Sequence, residues 1–289
     1  MQASAGVVLA GGRSSRMGTP KAALEWHGST LLYRTVSIVA RATGGVVVVV
    51  SAAGQNLPVL PRGTLVVEDP REGKGPVQGI AAGLSALSDR AETAFVSSTD
   101  LPFLHPAFVR RVVGGVGRER SGDGAVPDVC LPVARGYPQP LAAAYRVGLA
   151  GTAERLVREG RLRPAFLFEE CVVSRLDDAA LTADPAVAAL DPELDSLVNV
   201  NEPADYAAAR GRPAPEVTVR LFGALARGAA GAASRAVRAA TIAEAADAVG
   251  LTFDRHVTAA LNGDEITRDG LTPLVAGDAV FFMSADAGG

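Results

Sequence analysis

The chain has 289 residues, 48% of them hydrophobic, and a formal net charge of -3. That length suits two domains better than one, and the apolar content is enough for a sizeable core. The slight negative charge offers no field for a polyanion over the whole molecule, which argues against nucleic acid as a partner. No apolar run approaches the ~18 residues of a membrane span, and no signal-peptide pattern precedes the first strand, so a cytoplasmic protein with no membrane partner is expected. Cys130 and Cys171 each sit in an apolar run. They read as core thiols, since neither has a second pair of ligands nearby for a metal.

Gly6-Val-Val-Leu9 reads as a buried strand, and the pattern turns helical further on. Between them lies Leu9-Ala-Gly-Gly-Arg-Ser-Ser-Arg-Met-Gly-Thr-Pro-Lys21, a loop leaving the carboxyl end of a strand, where open α/β sheets bind ligands. Gly11, Gly12 and Gly18 let the backbone turn and approach a ligand closely. Exposed N–H groups make an anion-binding concavity, and Arg13, Arg16 and Lys21 add three positive charges. The combination suits a polyphosphate. Neither the Walker A pattern nor the G-x-G-x-x-G dinucleotide fingerprint is present.

Leu24 to Trp26 predicts a short strand before a His27-Gly28 turn. Thr30 caps a helix with Leu32, Val36, Val39 and Ala40 on one face, stopped at Gly44-Gly45. Val46 to Val50 predicts a strand buried on both faces of a parallel sheet, and Leu65-Val-Val67 a second of the same kind. That strand ends in Glu68-Asp69-Pro70. A second glycine loop, Gly73 to Gly79, then opens a helix with Ile80, Leu84 and Leu87 on its apolar face, a plain turn or an anion site at a helix N-terminus. Ala94 to Thr99 is the next strand. Asp100 leaves its carboxyl end on the same side as the first loop, either to cap the helix starting near Pro106 or to hold Mg²⁺, which favours oxygen ligands. His105 belongs to that helix start.

From Ala125 the alternation becomes irregular. Asp128–Val133 and Pro140–Tyr145 read as strands, Arg135 to Gln139 as a loop between them and a candidate pocket wall, and Ala153–Arg158 as helix. Leu197-Val-Asn-Val-Asn-Glu-Pro203 leads into another helix, which Asn201 could cap. Periodicity is lost from Ala207 to Pro215. We place a first domain at 1–210, a stiff linker at 211–215 and a second domain at 216–289. The second domain has strands at Val217–Phe222 and Ser234–Arg238. A capping-box helix runs from Thr241 to Gly250, an Asn262-Gly263 hairpin follows Leu261, a turn lies at Gly277-Asp278 and a last strand at Val280–Phe282. This ββαββ order is what a small β-grasp fold requires.

Leu9-Ala-Gly-Gly-x-x-x-Arg16-Met-Gly18-x-x-Lys21 resembles the signature of nucleotidyltransferases of the molybdenum cofactor guanylyltransferase type. The resemblance implies a doubly wound, mostly parallel α/β sheet of the nucleotide-diphospho-sugar transferase kind. It also implies that a terminal phosphate of molybdenum-bound molybdopterin attacks the α-phosphorus of GTP. By the same resemblance, Leu9, Ala10, Gly11 and Gly12 wrap the nucleotide, and Arg16 and Lys21 neutralise its phosphates. Asp69 contacts base or ribose, Gly75 and Gly79 belong to the Gly-Pro-x-x-Gly nucleotide loop, Asp100 binds Mg²⁺, and Asn201 lies by the metal or caps its helix. Ser51 stands where the family often has Asn, a shorter reach toward the base. GTP is favoured over CTP because Gly11 replaces the Ala of cytidylyltransferases.

The second domain, ending Ala-Gly288-Gly289, resembles the sulfur-carrier small subunit of molybdopterin synthase. That implies a thiocarboxylate on Gly289, with the synthase large subunit and an adenylating enzyme as partners. Alternatives are a CTP-dependent or sugar-phosphate nucleotidyltransferase, and a degenerate transferase serving mainly as sulfur carrier.

Overall fold

The computed structural model describes residues 4–11, 20–69, 75–117, 125–227 and 234–284. The chain forms two compact units, one from Met1–Glu25 with Thr30–Ala207, the other from Trp26–Ser29 with Ala208–Gly289. Among the described residues no helix is long and apolar enough to cross a membrane.

The first unit opens with β1 (Ser4–Leu9), whose four central residues are buried. The short strands β2 (Glu25–Trp26) and β3 (Ser29–Thr30) flank the turn at His27 and Gly28, both at positive φ. Thr30 Oγ1 accepts from Tyr33 N at 3.1 Å, capping α1 (Leu31–Thr43), and Gly44 ends the helix in the left-handed region at φ 68°. β4 (Val47–Ala52) follows, then β5 (Leu65–Asp69), α2 (Pro76–Ser85), β6 (Thr93–Ser98), α3 (Pro106–Val113), β7 (Val129–Ala134), β8 (Tyr137–Pro138) and β9 (Ala142–Arg146). α4 (Ala150–Arg158), α5 (Pro164–Phe168), β10 (Val173–Asp177), α6 (Asp178–Thr182), α7 (Pro185–Leu190) and the start of α8 (Pro203–Arg210) complete the unit, which ends at Ala207 within α8. Helix α8 therefore runs through the Ala207–Arg210 stretch that shows no periodicity in sequence.

The sheet order is β10-β7-β9-β6-β1-β4-β5, with β8 attached to β7. Strands β5, β4, β1 and β6 are mutually parallel, whereas β9 runs antiparallel to both β6 and β7. The sheet is thus a parallel-rich α/β sheet whose strand order reverses at β1, the topological switch point. Helices cover both faces. A Cβ on Gly6 would run into Val39 of α1, and one on Gly83 of α2 would run into Val7. Gly6 and Val7 are neighbours on β1 and point to opposite faces, so α1 and α2 lie on opposite sides of the sheet. Val7, Val50, Ile80, Leu84, Val96, Leu131 and Tyr145 share one core.

Two expectations change. β4 is buried throughout its first five residues, but β5 is the sheet's edge, and Val66 is 49% exposed. An apolar triplet does not reveal that a strand has only one neighbour. Cys130 is buried, but Cys171 is only half-buried, and its Sγ donates to Leu167 O at 3.2 Å. Neither cysteine forms a disulfide. Burial pushes the Cys171 thiol up to about 11, aided by the Asp128 charge.

The second unit contains β11 (Glu216–Leu221), α9 (Ala224–Arg227), β12 (Ser234–Arg238), α10 (Ile242–Ala248), β13 (Val257–Leu261), β14 (Glu265–Thr267) and β15 (Ala279–Ser284). Its sheet order is β12-β11-β15-β13-β14, with β11 and β15 parallel and every other pair antiparallel. Strand β14 is an addition to the four strands read from sequence, and it closes the Asn262-Gly263 hairpin. Val217, Val219, Ile242, Ala246, Leu261, Leu274 and Phe282 pack as its core. Half of the capping box forms as expected, with Thr241 Oγ1 accepting from Glu244 N, whereas Glu244 Oε2 accepts from Ala240 N at 2.7 Å, one residue before the cap. Asp278 is 5% exposed and accepts from Asn262 Nδ2 and Val275 N, tying the two turns together.

Candidate active site

The parallel register brings the ends of four strands to one edge. Leu9 is level with Val50 and with Ser98, and Ala52 is level with Asp69. Ala10, Ser51, Asp69 and Asp100, far apart in sequence, therefore stand along one rim. Gly11 N and Ala10 N both donate to Val50 O, at 3.2 and 2.8 Å, so the loop starts pressed against β4. A Cβ on Gly11 would stand 3.2 Å from Ala52 N, so the missing methyl also permits this close approach. Gln55 braces the same corner, accepting from Ala52 N and donating to Ala10 O at 3.1 Å. Gly12, Arg16 and Gly289 lie outside the described residues.

The centre of the rim is an ammonium held by two oxygens. Lys21 Nζ donates to Asp100 Oδ2 at 2.9 Å and to Asn201 Oδ1 at 2.8 Å. The side chains of Lys21 and Asp100 are 20% and 16% exposed, so water screens the pair only in part. Residues 79 and 180 positions apart thus meet at one point. Asp100 is oriented from three sides. Ser98 donates its hydroxyl to Asp100 Oδ1, Val200 N donates to Asp100 O at 2.9 Å, and buried Arg34 of α1 donates Nε to Pro102 O at 2.6 Å. Asp205, in the first turn of α8, reaches back to the segment before the helix, where its Oδ2 accepts from Asn201 N and Glu202 N at 3.0 and 2.9 Å. The Asn201 side chain is thereby directed to Lys21. His105 caps α3 through Nδ1, which accepts from Ala107 N.

The second glycine loop abuts the first. Gly75 precedes α2 at φ 74°, and a Cβ there would approach Leu162 O at 3.2 Å. A Cβ on Gly79 would stand 3.0 Å from Leu9 Cδ2, so glycine lets the first turn of α2 press on the end of β1. Asp69 accepts from Gln78 Nε2 of that same turn. Ser51, at the end of β4, is 2% exposed. Behind the rim, burial pushes the Asp191 carboxyl up to about 6 against hydrogen bonds from Ser196. Ser196 Oγ accepts from His105 N at 2.9 Å, linking the segment before Asn201 to the segment after Asp100.

Ser98, Arg34, Gln55, Gln78 and Asp205 are missing from the sequence reading. Only Asp205 left a signal, an acid three residues into the α8 segment.

A lysine, a carboxylate and an amide oxygen thus meet at the switch point, beside the start of the first glycine loop. The family model of the MobA-like NTP transferase domain matches residues 6–176. The chain belongs to the MobA-like NTP transferase family. It is therefore a nucleotidyltransferase. Among its relatives, a probable molybdenum cofactor guanylyltransferase of Bacillus cytotoxicus is 29% identical over 209 residues, covering 72% of this chain and 96% of the relative. A probable molybdenum cofactor guanylyltransferase of Mycobacterium avium is 33% identical over 207 residues, covering 71% and 93%. In fold, the MobA-like chain is similar to the crystal structure of molybdopterin-guanine dinucleotide biosynthesis protein A from Archaeoglobus fulgidus. There the TM-score is 0.53 at 23% identity, covering 71% of this chain and 96% of that one.

Proposed function

We propose that the first unit transfers GMP from GTP to molybdenum-bound molybdopterin. The observation that carries this reading is the convergence of Lys21, Asp100 and Asn201 at the carboxyl edge of the switch-point strands, and the names of the relatives support the choice of substrates. A terminal phosphate oxygen of the acceptor attacks the α-phosphorus of GTP, the α–β phosphoanhydride bond breaks, and pyrophosphate leaves. The protein's work in such a step is positioning and charge neutralisation. Leu9 to Gly12 wraps the nucleotide with main-chain groups. Lys21 neutralises charge growing on the leaving pyrophosphate, with Arg16 as its partner. Asp69 faces the base or ribose from β5, and the α2 N-terminus at Gly75 to Gly79 lines the same pocket.

The oxygens of Asp100 and Asn201 already share one cation, the Lys21 ammonium. They are hard donors of the kind Mg²⁺ takes, so they fit that ion and would hold it. Bound there, Mg²⁺ would supply a positive charge shared with the phosphate oxygens. Base choice rests on Gly11 and the Gly75–Gly79 loop. Pyrophosphate release measured with each NTP and molybdenum-loaded molybdopterin tests the assignment. Turnover is expected with GTP, and faster turnover with CTP overturns it.

For the second unit, we infer a β-grasp sulfur carrier for molybdopterin synthesis, with the synthase large subunit and an adenylating enzyme as partners. The domains on this reading are 1–210 and 216–289, joined by 211–215. The support is the mixed sheet with a parallel β11–β15 pair and one helix, α10, packed in its core. The role requires Gly289 to bear a free carboxylate that receives sulfur as a thiocarboxylate. Intact mass after incubation with an adenylating enzyme, ATP and a sulfur donor tests it. The expected gain is that of sulfur replacing one oxygen, and an unchanged mass removes the carrier role.

A further inference from the structure

The hairpin between β7 and β8 has no part in the nucleotide site, yet it stands at the same rim. Continuing the registers of β6, β9 and β7 puts Cys130 level with Phe95 and so brings Arg135 level with Asp100. Val133 pairs with Asp177 of β10 and with Pro138 of β8. These pairings use opposite edges of β7, so β8 lies on the side facing β6. Tyr137 therefore lies on the side of β7 that faces β9 and β6, the strand that leads into Asp100, and it is 73% exposed.

The tip is braced by hydrogen bonds and built at a cost. Ala134 pairs with Tyr137 across Arg135 and Gly136, at φ 51° and 82°. Two-residue turns of this kind favour Asn, Asp or Gly at the first position, and an L-residue with a long side chain is strained there. Asp178 accepts from Arg135 N at 3.1 Å and holds it in place. The Arg135 guanidinium donates to Glu193 O at 3.4 Å, in the loop that leads to Asn201. Gln139 Nε2 donates to Tyr137 O, and buried Tyr145 donates its hydroxyl to Pro140 O at 2.7 Å, fixing the return strand. Backbone strain kept at a rim is a mark of function. A braced, exposed aromatic beside an arginine suits a planar nitrogen heterocycle, which stacks on such side chains.

We propose that this hairpin is the acceptor subsite, with Tyr137 stacking on the heterocycle of the acceptor and Arg135 binding its polar edge. The assignment rests on the transfer reading above. Its test varies GTP and molybdenum-loaded molybdopterin separately in a pyrophosphate-release assay on the full chain. Tyr137→Ala should raise the acceptor KM about tenfold, the worth of one stacked ring, and leave the GTP KM within about twofold. Tyr137→Phe should restore the acceptor KM. Arg135→Asn should melt at or above the wild-type temperature, because Asn suits the turn, yet still raise the acceptor KM. Wild-type acceptor KM values in both Tyr137→Ala and Arg135→Asn overturn the proposal. Should the wild type fail to turn over, the transfer reading falls, and titration of pterin fluorescence decides the hairpin's role. Weaker molybdopterin binding by Tyr137→Ala sustains the subsite, whereas equal binding, or none by the wild type, overturns it.

Discussion

Replacing Lys21 by Met keeps most of the side chain's volume and removes its charge. That ammonium donates to Asp100 Oδ2 at 2.9 Å and to Asn201 Oδ1 at 2.8 Å. With the paired side chains 20% and 16% exposed, loss of the contact falls between the surface and buried limits for ion pairs and should cost about 1–2 kcal/mol of stability. Activity should fall much further. A preorganised donor aimed at developing charge is worth roughly 10²–10³ in rate, about 3–4 kcal/mol. The assay is kcat/KM for GTP by pyrophosphate release, run well below the melting temperature so that folding does not contribute. Asp100→Asn should cause a loss of similar size. Because both groups act on the same triphosphate, the double variant should sit near the poorer single one and not at the product of the two losses. Lys21→Met activity within about threefold of wild type, against the expected hundredfold or more, refutes the reasoning, as do strictly multiplicative losses.

Asp191 has a folded-state pKa of about 6, raised by burial, against about 3.9 in an unfolded chain. The folded state therefore holds its proton more tightly. The stability this confers is fully present below about pH 4 and is lost as pH rises to about 6. Asp191→Asn, which stays neutral, should gain in melting temperature relative to wild type between pH 4 and 6 and hold that lead above it. A constant difference across a pH series of thermal melts would contradict this. Gly83→Ala should destabilise by about 1–3 kcal/mol, because its Cβ runs into Val7 in the core and overpacking costs that much. Gly151→Ala in α4 has nothing within 4 Å of its Cβ and should stabilise by about 1 kcal/mol through helix propensity. Urea titrations that rank these two variants the other way would show that the α2–β1 contact is misjudged. Asn201→Ala should weaken the response to Mg²⁺ in a metal titration of turnover, and an unchanged midpoint would remove Asn201 from the metal's surroundings.

Much of the rim was legible because several signals coincided on the same residues. A buried valine strand, a glycine turn and three cations mark the first loop, and Asp100 ends a strand of the same kind. Their meeting follows from parallel register, which puts all such strand ends on one side. What stayed hidden depends on tertiary placement. Arg34 occupies an ordinary position in a helical pattern, and only packing turns it toward Pro102 O. Ser98 is one of several small hydroxyls in Ser-Ser-Thr, with nothing local to show which one turns to the carboxylate. Ser51 gave no local sign of its burial at the end of β4, where it is 2% exposed. Val66 looked like a core residue because local hydrophobicity does not count neighbouring strands. Asn201 read equally as a cap or a ligand, and its contact with Lys21 depends on a residue 180 positions away that no local pattern reveals. The second half of the first unit was hardest, since β9 runs against its neighbours and four short helices, α4 to α7, replace the regular alternation.

The central claim is that one triphosphate and one divalent ion sit between the first glycine loop and Asp100. A crystal structure of the full chain with GTP and Mg²⁺ tests it most directly. The account predicts the metal at about 2.1 Å from an Asp100 oxygen, with Lys21 Nζ moved from that carboxylate onto the β- or γ-phosphate. Phosphates bound elsewhere on the sheet, or a Lys21–Asp100 contact unchanged with the nucleotide in place, would contradict it.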